Sequence, residues 1–229
     1  MSEKENDEKK SLDRAEENIK ESGMLQIPVP DEKIQVLPII GQIEGHMILS
    51  PQTKTTKYEH IMPQLVAMER DERVKGILII LNTVGGDVEA GLAIAEMIWS
   101  LSKPTVSLVV GGGHSIGVPL ATAANYSFIS PSATMIIHPI RMNGLVIGVP
   151  QTFDYFTKMQ NRIIDFITRT TNMSGDRIKQ LMMQTDELLN DMGTILIGIE
   201  AVENKLIDEV GGIKEALQKL NSLIENRVP

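Results

Sequence analysis

Two apolar runs that each end in glycine, separated by one helix-length segment, restrict this chain more than any other feature. The first, GILIILN from Gly76, leads into Gly85–Gly86; the second, TVSLVV from Thr105, leads into Gly111, Gly112 and Gly113. The core of the first run is apolar at every position, which fits a strand buried on both faces, as in parallel sheets. Between the runs, VEAGLAIAEMIWSL reads as a helix, with Asp87 as its N-cap and SKP at 102–104 as its end. Upstream, KIQVLPIIGQIE at 33–44 reads as a strand interrupted by Pro38 and Gly41. YEHIMPQLVAMERDE at 58–72 sets Ile61, Leu65 and Met68 at helical spacing. After the glycines, GVPLATAAN suits a tightly packed helix, and YSFIS and TMIIH are two further short strands. Strands alternating with helices predict an α/β architecture with crossover connections.

The last third reads as helical. Residues 150–171 carry Phe153, Phe156, Met159, Ile163, Phe166 and Ile167 along one face, and four of the eight aromatic residues fall between 153 and 166. Such a stripe fits either a core-facing helix or an exposed surface for self-association. A helix over 174–190 is expected next, and GGIKEALQKLNSLIEN closes the chain with a further amphipathic pattern.

Inside the second glycine cluster, GHSIG matches the G-x-S-x-G pattern of serine hydrolases. In an α/β-hydrolase the triad runs Ser, then Asp or Glu, then His. The only histidine after Ser115 is His138, and the segment between them, IGVPLATAANYSFISPSATMII, holds no acid. That fold is excluded. The chemistry is not, because a serine needs only an adjacent base and preorganised donors for the oxyanion. Two glycine turns at the carboxyl edge of a parallel sheet could line one cleft and supply those donors. His138 ends its strand beside Pro139, which leaves the imidazole at the sheet edge. His114 abuts Ser115, and adjacent side chains on a tight turn diverge. The glycine-rich loop lacks the Gly-Lys-Ser/Thr of a Walker motif. The four histidines show no metal-ligand spacing, so no metal and no cofactor are expected.

Composition narrows the class. A net charge of −8 opposes nucleic-acid binding, and the absence of cysteine removes disulfides, thiolate metal sites and a cysteine nucleophile. The longest strongly apolar run, Ile77 to Leu81, is far too short to span a membrane. Residues 1–22 are charged throughout, unlike a signal peptide, so a cytoplasmic protein is expected. An arm over residues 1–24 is expected to be disordered, with one domain over 25–229.

LIILNTVGGDVEAGLAIAEMI, then GGGHSIGVPLATAA, then MIIHP, then EAVENKLIDEVGG resemble the ClpP family of serine peptidases. The family pieces read N-S-P-G-G, G-x-A-A-S-M-G, M-I-H-Q-P and E-A-x-x-x-G-L-I-D. The likeness covers roughly residues 34–220 in the same order, and a translocation-linked group of that family is the nearest fit. Val84 stands where the family has proline, Gly113–His114 where it has two alanines, and Pro139–Ile140 follow His138 in place of Gln-Pro. The resemblance implies the ClpP/crotonase spiral of β-β-α units with a long protruding helix. It implies Ser115 as nucleophile, His138 as general base, and the backbone N–H groups of Gly85 or Gly86 and of Ile116 as the oxyanion hole. Asp186 and Asp191, in QTDELLND, are the candidates for the third triad member. It also implies a homo-oligomeric ring, peptide or unfolded-protein substrates, a separate ATPase unfoldase as partner, and a link to protein export. Two other readings of the same residues are a Ser-Lys dyad using Lys158, as in signal-peptide-peptidase relatives, and a crotonase-like acyl-CoA enzyme.

Overall fold

The computed structural model describes residues 33–141, 148–186 and 192–226. The arm expected over 1–24 lies outside them. Strand β1 (Ile34–Glu44) pairs in parallel with β3 (Gly76–Gly86), and at its far end with the short β2 (Thr55–Lys57). Pro38 and Gly41 do not end β1. Pro38 has the same facing as Ile40, whose N–H and carbonyl meet Thr56 on the side away from β3, and β2 does not reach Pro38, so its missing N–H costs no ladder bond; at Gly41 the register shifts by a bulge.

Helix α1 (Tyr58–Arg70) turns Ile61 and Leu65 into the core. Helix α2 (Val88–Ser100) starts as its sequence predicts, with the Asp87 carboxylate accepting the Ala90 N–H at 2.8 Å. Its interior glycine, Gly91, has a packing reason. A Cβ there would meet Ile116 Cγ1 at 2.4 Å, so the glycine lets α2 lie directly on the segment after Ser115.

Strand β4 (Thr105–His114) decides the architecture because it has different partners along its length. Its first half, Val106–Val109, pairs with β5 (Tyr126–Ile129); its last residues, Gly112 to His114, pair with β6 (Thr134–Ile137). The glycines therefore belong to the strand and not to a turn, which corrects the expectation from sequence. They serve close approach: a Cβ on Gly111 would meet Asn82 Oδ1 at 2.4 Å, and one on Gly113 would meet Met135 Sδ at 2.5 Å. The turn falls on Ser115 itself. Helix α3 (Gly117–Thr122) follows, every residue buried.

The final third is not all helix. After α4 (Val149–Thr170) and α5 (Gly175–Met182), the strand β7 (Thr194–Ile197) runs antiparallel to β6. Short α6 (Ile199–Glu203) leads to the two-residue β8 (Glu209–Val210), which joins β5 in parallel. Helix α5 begins at its Ser174 cap as expected, but it ends at Met182, well before the expected 190. The order across the main sheet is β2-β1-β3-β4-β5-β8, with β6 and β7 branching from β4.

One apolar cluster, including Ile79, Leu81, Ile94, Ile98, Leu120 and Phe166, fills the helical side. A smaller one, including Leu78, Val106, Leu108 and Phe128, is covered by Ala216 and Leu220 of α7 (Ile213–Glu225). The stripe on α4 divides between its two expected readings. Met159, Ile163, Phe166 and Ile167 are buried, Phe156 is half-buried, and Phe153 is exposed at 71%. This is the mixed α/β architecture, with a mostly parallel sheet, that the sequence predicts.

Candidate active site

Ser115 is held by the branch in the sheet. Its N–H donates to the carbonyl of Ile136 on β6 at 2.9 Å, and its own carbonyl accepts from Val118 at 3.0 Å. Between these two bonds the backbone takes φ +58, a conformation that costs a non-glycine residue on the order of 1 kcal/mol. Ile136 stands two residues before His138, so the bond to β6 brings the hydroxyl-bearing turn to the end of the histidine's strand. Ser115, Ile116, His138 and Gly86 line one cavity of about 130 Å³. Val88, Val118, Ile137, Ile163, Ile167 and Met182 form the apolar part of its wall, with Arg141 as the charged residue among its lining.

The imidazole of His138 has a defined tautomer on this geometry. Its Nδ1 lies 2.6 Å from the carbonyl oxygen of Pro139. A carbonyl only accepts, so Nδ1 carries the proton and Nε2 of the neutral ring keeps its lone pair. His114 is turned elsewhere, with its Nε2 2.7 Å from Thr134 Oγ1 on β6. Burial, with a smaller contribution from the charge of His138, holds the His114 pKa below its ordinary value of 6.5.

Of the two glycines, Gly85 supports Ser115 by its lack of a side chain. A Cβ on Gly85, at φ +88, would meet Ser115 Cβ at 2.7 Å and the His114 carbonyl at 2.8 Å. The Gly85 N–H is taken up by Thr83 Oγ1 at 3.0 Å, while that hydroxyl donates to the Gly41 carbonyl at 2.6 Å. Gly86 differs. Asp87 N–H donates to Ile43 O at 3.0 Å, and Ile43 is the register partner of Gly86, so the alternation of a parallel ladder leaves the Gly86 N–H outside the pairing with β1. Ile116, the N-cap of α3, donates no backbone hydrogen bond among the described residues. Gly86, Ser115, Ile116 and His138 thus bring two backbone amides, one hydroxyl and one imidazole to the lining of one cavity. That set can attack a carbonyl, receive the proton and stabilise the resulting oxyanion.

Two of the remaining candidates are not among the cavity lining. Asp186 is exposed at the bend after α5 and is not among the lining residues. Asp191 lies outside the described residues. Lys158 is exposed on α4 and does not line the cavity either. Sequence reasoning overlooked Thr83, whose only local signal is a hydroxyl two residues before a glycine amide. It also overlooked Ile163 and Ile167, which the helical stripe contained without showing that they form a cavity wall. Among the described residues, no group of three or more His, Asp or Glu side chains could hold a metal ion.

Comparison with known proteins agrees with the sequence motifs. A family model described as Clp protease matches residues 32–214. Translocation-enhancing protein TepA of Halalkalibacterium halodurans is 59% identical over 214 residues, which cover 93% of this chain and 84% of that protein. The ATP-dependent Clp protease proteolytic subunit 1 of Protochlamydia amoebophila is 25% identical over 170 residues, 72% of this chain and 79% of its own length. The ATP-dependent Clp protease proteolytic subunit of Leuconostoc citreum is 30% identical over 122 residues, 52% of this chain and 56% of its own length.

Proposed function

We propose, from the premise that this chain belongs to the Clp protease family, that it is a serine endopeptidase acting on short peptides and unfolded polypeptides. One observation carries the reading: Gly86, Ser115, Ile116 and His138, from three separate segments, line a single cavity. In the proposed reaction Ser115 Oγ attacks the scissile carbonyl carbon while His138 Nε2 takes its proton. The tetrahedral oxyanion is held by the N–H groups of Gly86 and Ile116. His138 then gives the proton to the leaving amine, and the C–N bond breaks to leave an acyl-serine. Water, deprotonated by the same imidazole, attacks the ester and releases the acid.

The Pro139 carbonyl on Nδ1 keeps the ring in the tautomer this sequence of steps needs. Asp191 is our candidate for the carboxylate that takes over this Nδ1–H when the imidazolium forms, since Asp186 is exposed and not among the cavity lining. A cavity of about 130 Å³ with walls of valine, isoleucine and methionine suits an apolar side chain next to the scissile bond. The Ser-Lys reading would need Lys158 at the serine, and its exposure on α4 speaks against it. The family match likewise favours peptide hydrolysis over acyl-CoA chemistry.

The proposed context is a homo-oligomeric ring in the cytoplasm, served by a separate ATPase and acting near protein export. Its support is similarity to TepA and to the Clp proteolytic subunits, together with the absence among the described residues of a helix long and apolar enough to cross a membrane. The test is mass-spectrometric mapping of a fluorophosphonate adduct. The reading expects the label on Ser115 and its loss in His138→Ala; a protein left unlabelled at Ser115 overturns it.

A further inference from the structure

The oxyanion turn and the substrate wall belong to two helices that lie side by side without closing on each other. Helix α2 follows directly from Gly86–Asp87, and α4 supplies Ile163 and Ile167 to the cavity. A groove of about 400 Å³ separates them, with Leu92, Ala93 and Phe166 among its lining. Two ion pairs bridge it. Arg162 forks onto Glu89, with Nη1 2.7 Å from Oε1 and Nη2 3.1 Å from Oε2. Seven residues further along both helices, Arg169 Nη2 meets Glu96 Oε1 at 2.7 Å, and its guanidinium lies 4.9 Å from the centre of the Phe166 ring. Each arginine flanks a cavity residue: Arg162 precedes Ile163, and Arg169 stands two after Ile167. Glu89 sits in the first turn of α2, three residues beyond Gly86.

We propose that Glu89 and Arg162, supported by Glu96 and Arg169, are positioning residues that clamp the oxyanion turn to the substrate wall. Both groups of the first pair are about half exposed, at 47% and 50%. A pair so exposed is weakened by salt and contributes modestly to stability. Its effect is therefore on registration: Leu92 and Phe166 are buried in one shared core, but apolar packing is non-directional, and the fork adds a fixed distance and orientation between the start of α2 and the turn of α4 that carries Ile163. The bidentate geometry matters because a guanidinium fork sets both distance and orientation, which a single contact does not.

The mechanical part of the clamp stands on the distances alone; its effect on turnover rests on the peptidase reading. The test uses the full chain with Glu89→Gln, and the reciprocal exchange Glu89→Arg with Arg162→Glu. Amide hydrogen exchange over 85–91 should quicken about three- to fivefold in Glu89→Gln, the scale of one half-exposed pair. It should return towards the parent in the exchanged double variant. For peptide cleavage, kcat of the parent should fall by a similar factor as NaCl rises from about 0.05 to about 1 M. The Glu89→Gln protein should start at the lower value and stay flat, with KM little changed. Unaltered exchange over 85–91 overturns the clamp whatever the enzyme does, as does a variant that keeps the parent's salt response. Failure of fluorophosphonate to label Ser115 in the parent would sink the peptidase reading alone, with the exchange result still deciding the clamp.

Discussion

Ser115 and Ile136 are joined by a backbone hydrogen bond of 2.9 Å, and this bond holds the serine in a left-handed conformation at the end of the strand that carries His138. A β-carbon at φ +58 strains the chain, and glycine does not share that strain. Ser115→Ala and Ser115→Gly should therefore be equally inactive, with activity at least about a thousandfold below the parent. They should differ in stability: thermal melting should place Ser115→Gly above Ser115→Ala by on the order of 1 kcal/mol. Equal melting temperatures would mean that the turn carries no strain.

His138 and Lys158 make opposite predictions. With the imidazole as base, His138→Ala should lower kcat about a thousandfold or more, whereas Lys158→Ala should leave kcat within about twofold. The exposure of Lys158 on α4 predicts a neutral substitution. The reverse pattern in steady-state kinetics would return the Ser-Lys dyad to first place.

Gly85 is required for space as well as for its dihedral angle. Gly85→Ala sets a methyl group 2.7 Å from Ser115 Cβ and 2.8 Å from the His114 carbonyl, at φ +88. Neither neighbour can yield, since Ser115 is tied to β6 and the carbonyl is backbone. Denaturant unfolding should show a loss of about 2 kcal/mol or more. Fluorophosphonate labelling of whatever remains folded should slow. A variant with parent-like stability and labelling would show that the contact between the two turns is loose.

What the sequence made legible was local. The run from Ile77 to Leu81 declares a strand buried on both sides, and Asp87 declares the start of α2, because each signal lies within a few residues of its effect. The glycines at 111–113 misled for the same reason: glycine permits a turn and also permits close approach, and only the neighbours Asn82 and Met135, far along the chain, show which applies. Strand β8 escaped notice because two residues carry no periodic signal, and β7, as short as β5 and β6, because it stands in a stretch whose flanking segments have helical patterns; the pairing of both, with β5 and β6, is decided over long range. The serine and histidine candidates could be read from motif, but the Thr83 hydroxyl that takes the Gly85 amide could not.

His114 makes stability depend on pH. Its imidazole is partly buried and bonded to Thr134, and burial lowers its pKa below the ordinary 6.5 in the folded protein. The unfolded chain therefore takes up the proton first as pH falls. Between about pH 6.5 and the lower folded value, the unfolded state binds more protons than the native one, so stability drops as the solution is acidified. Above that window the neutral ring is favoured in both states and the dependence vanishes. His114→Gln replaces the imidazole with an amide that does not titrate and can still reach Thr134. Thermal melts of the two proteins from about pH 8 to about pH 5 should run parallel at the alkaline end. Below about pH 6.5 they should converge or cross, as the parent loses melting temperature faster. Parallel curves through the whole range would show that His114 titrates alike in the folded and unfolded chains, and that its burial beside β6 carries no proton linkage.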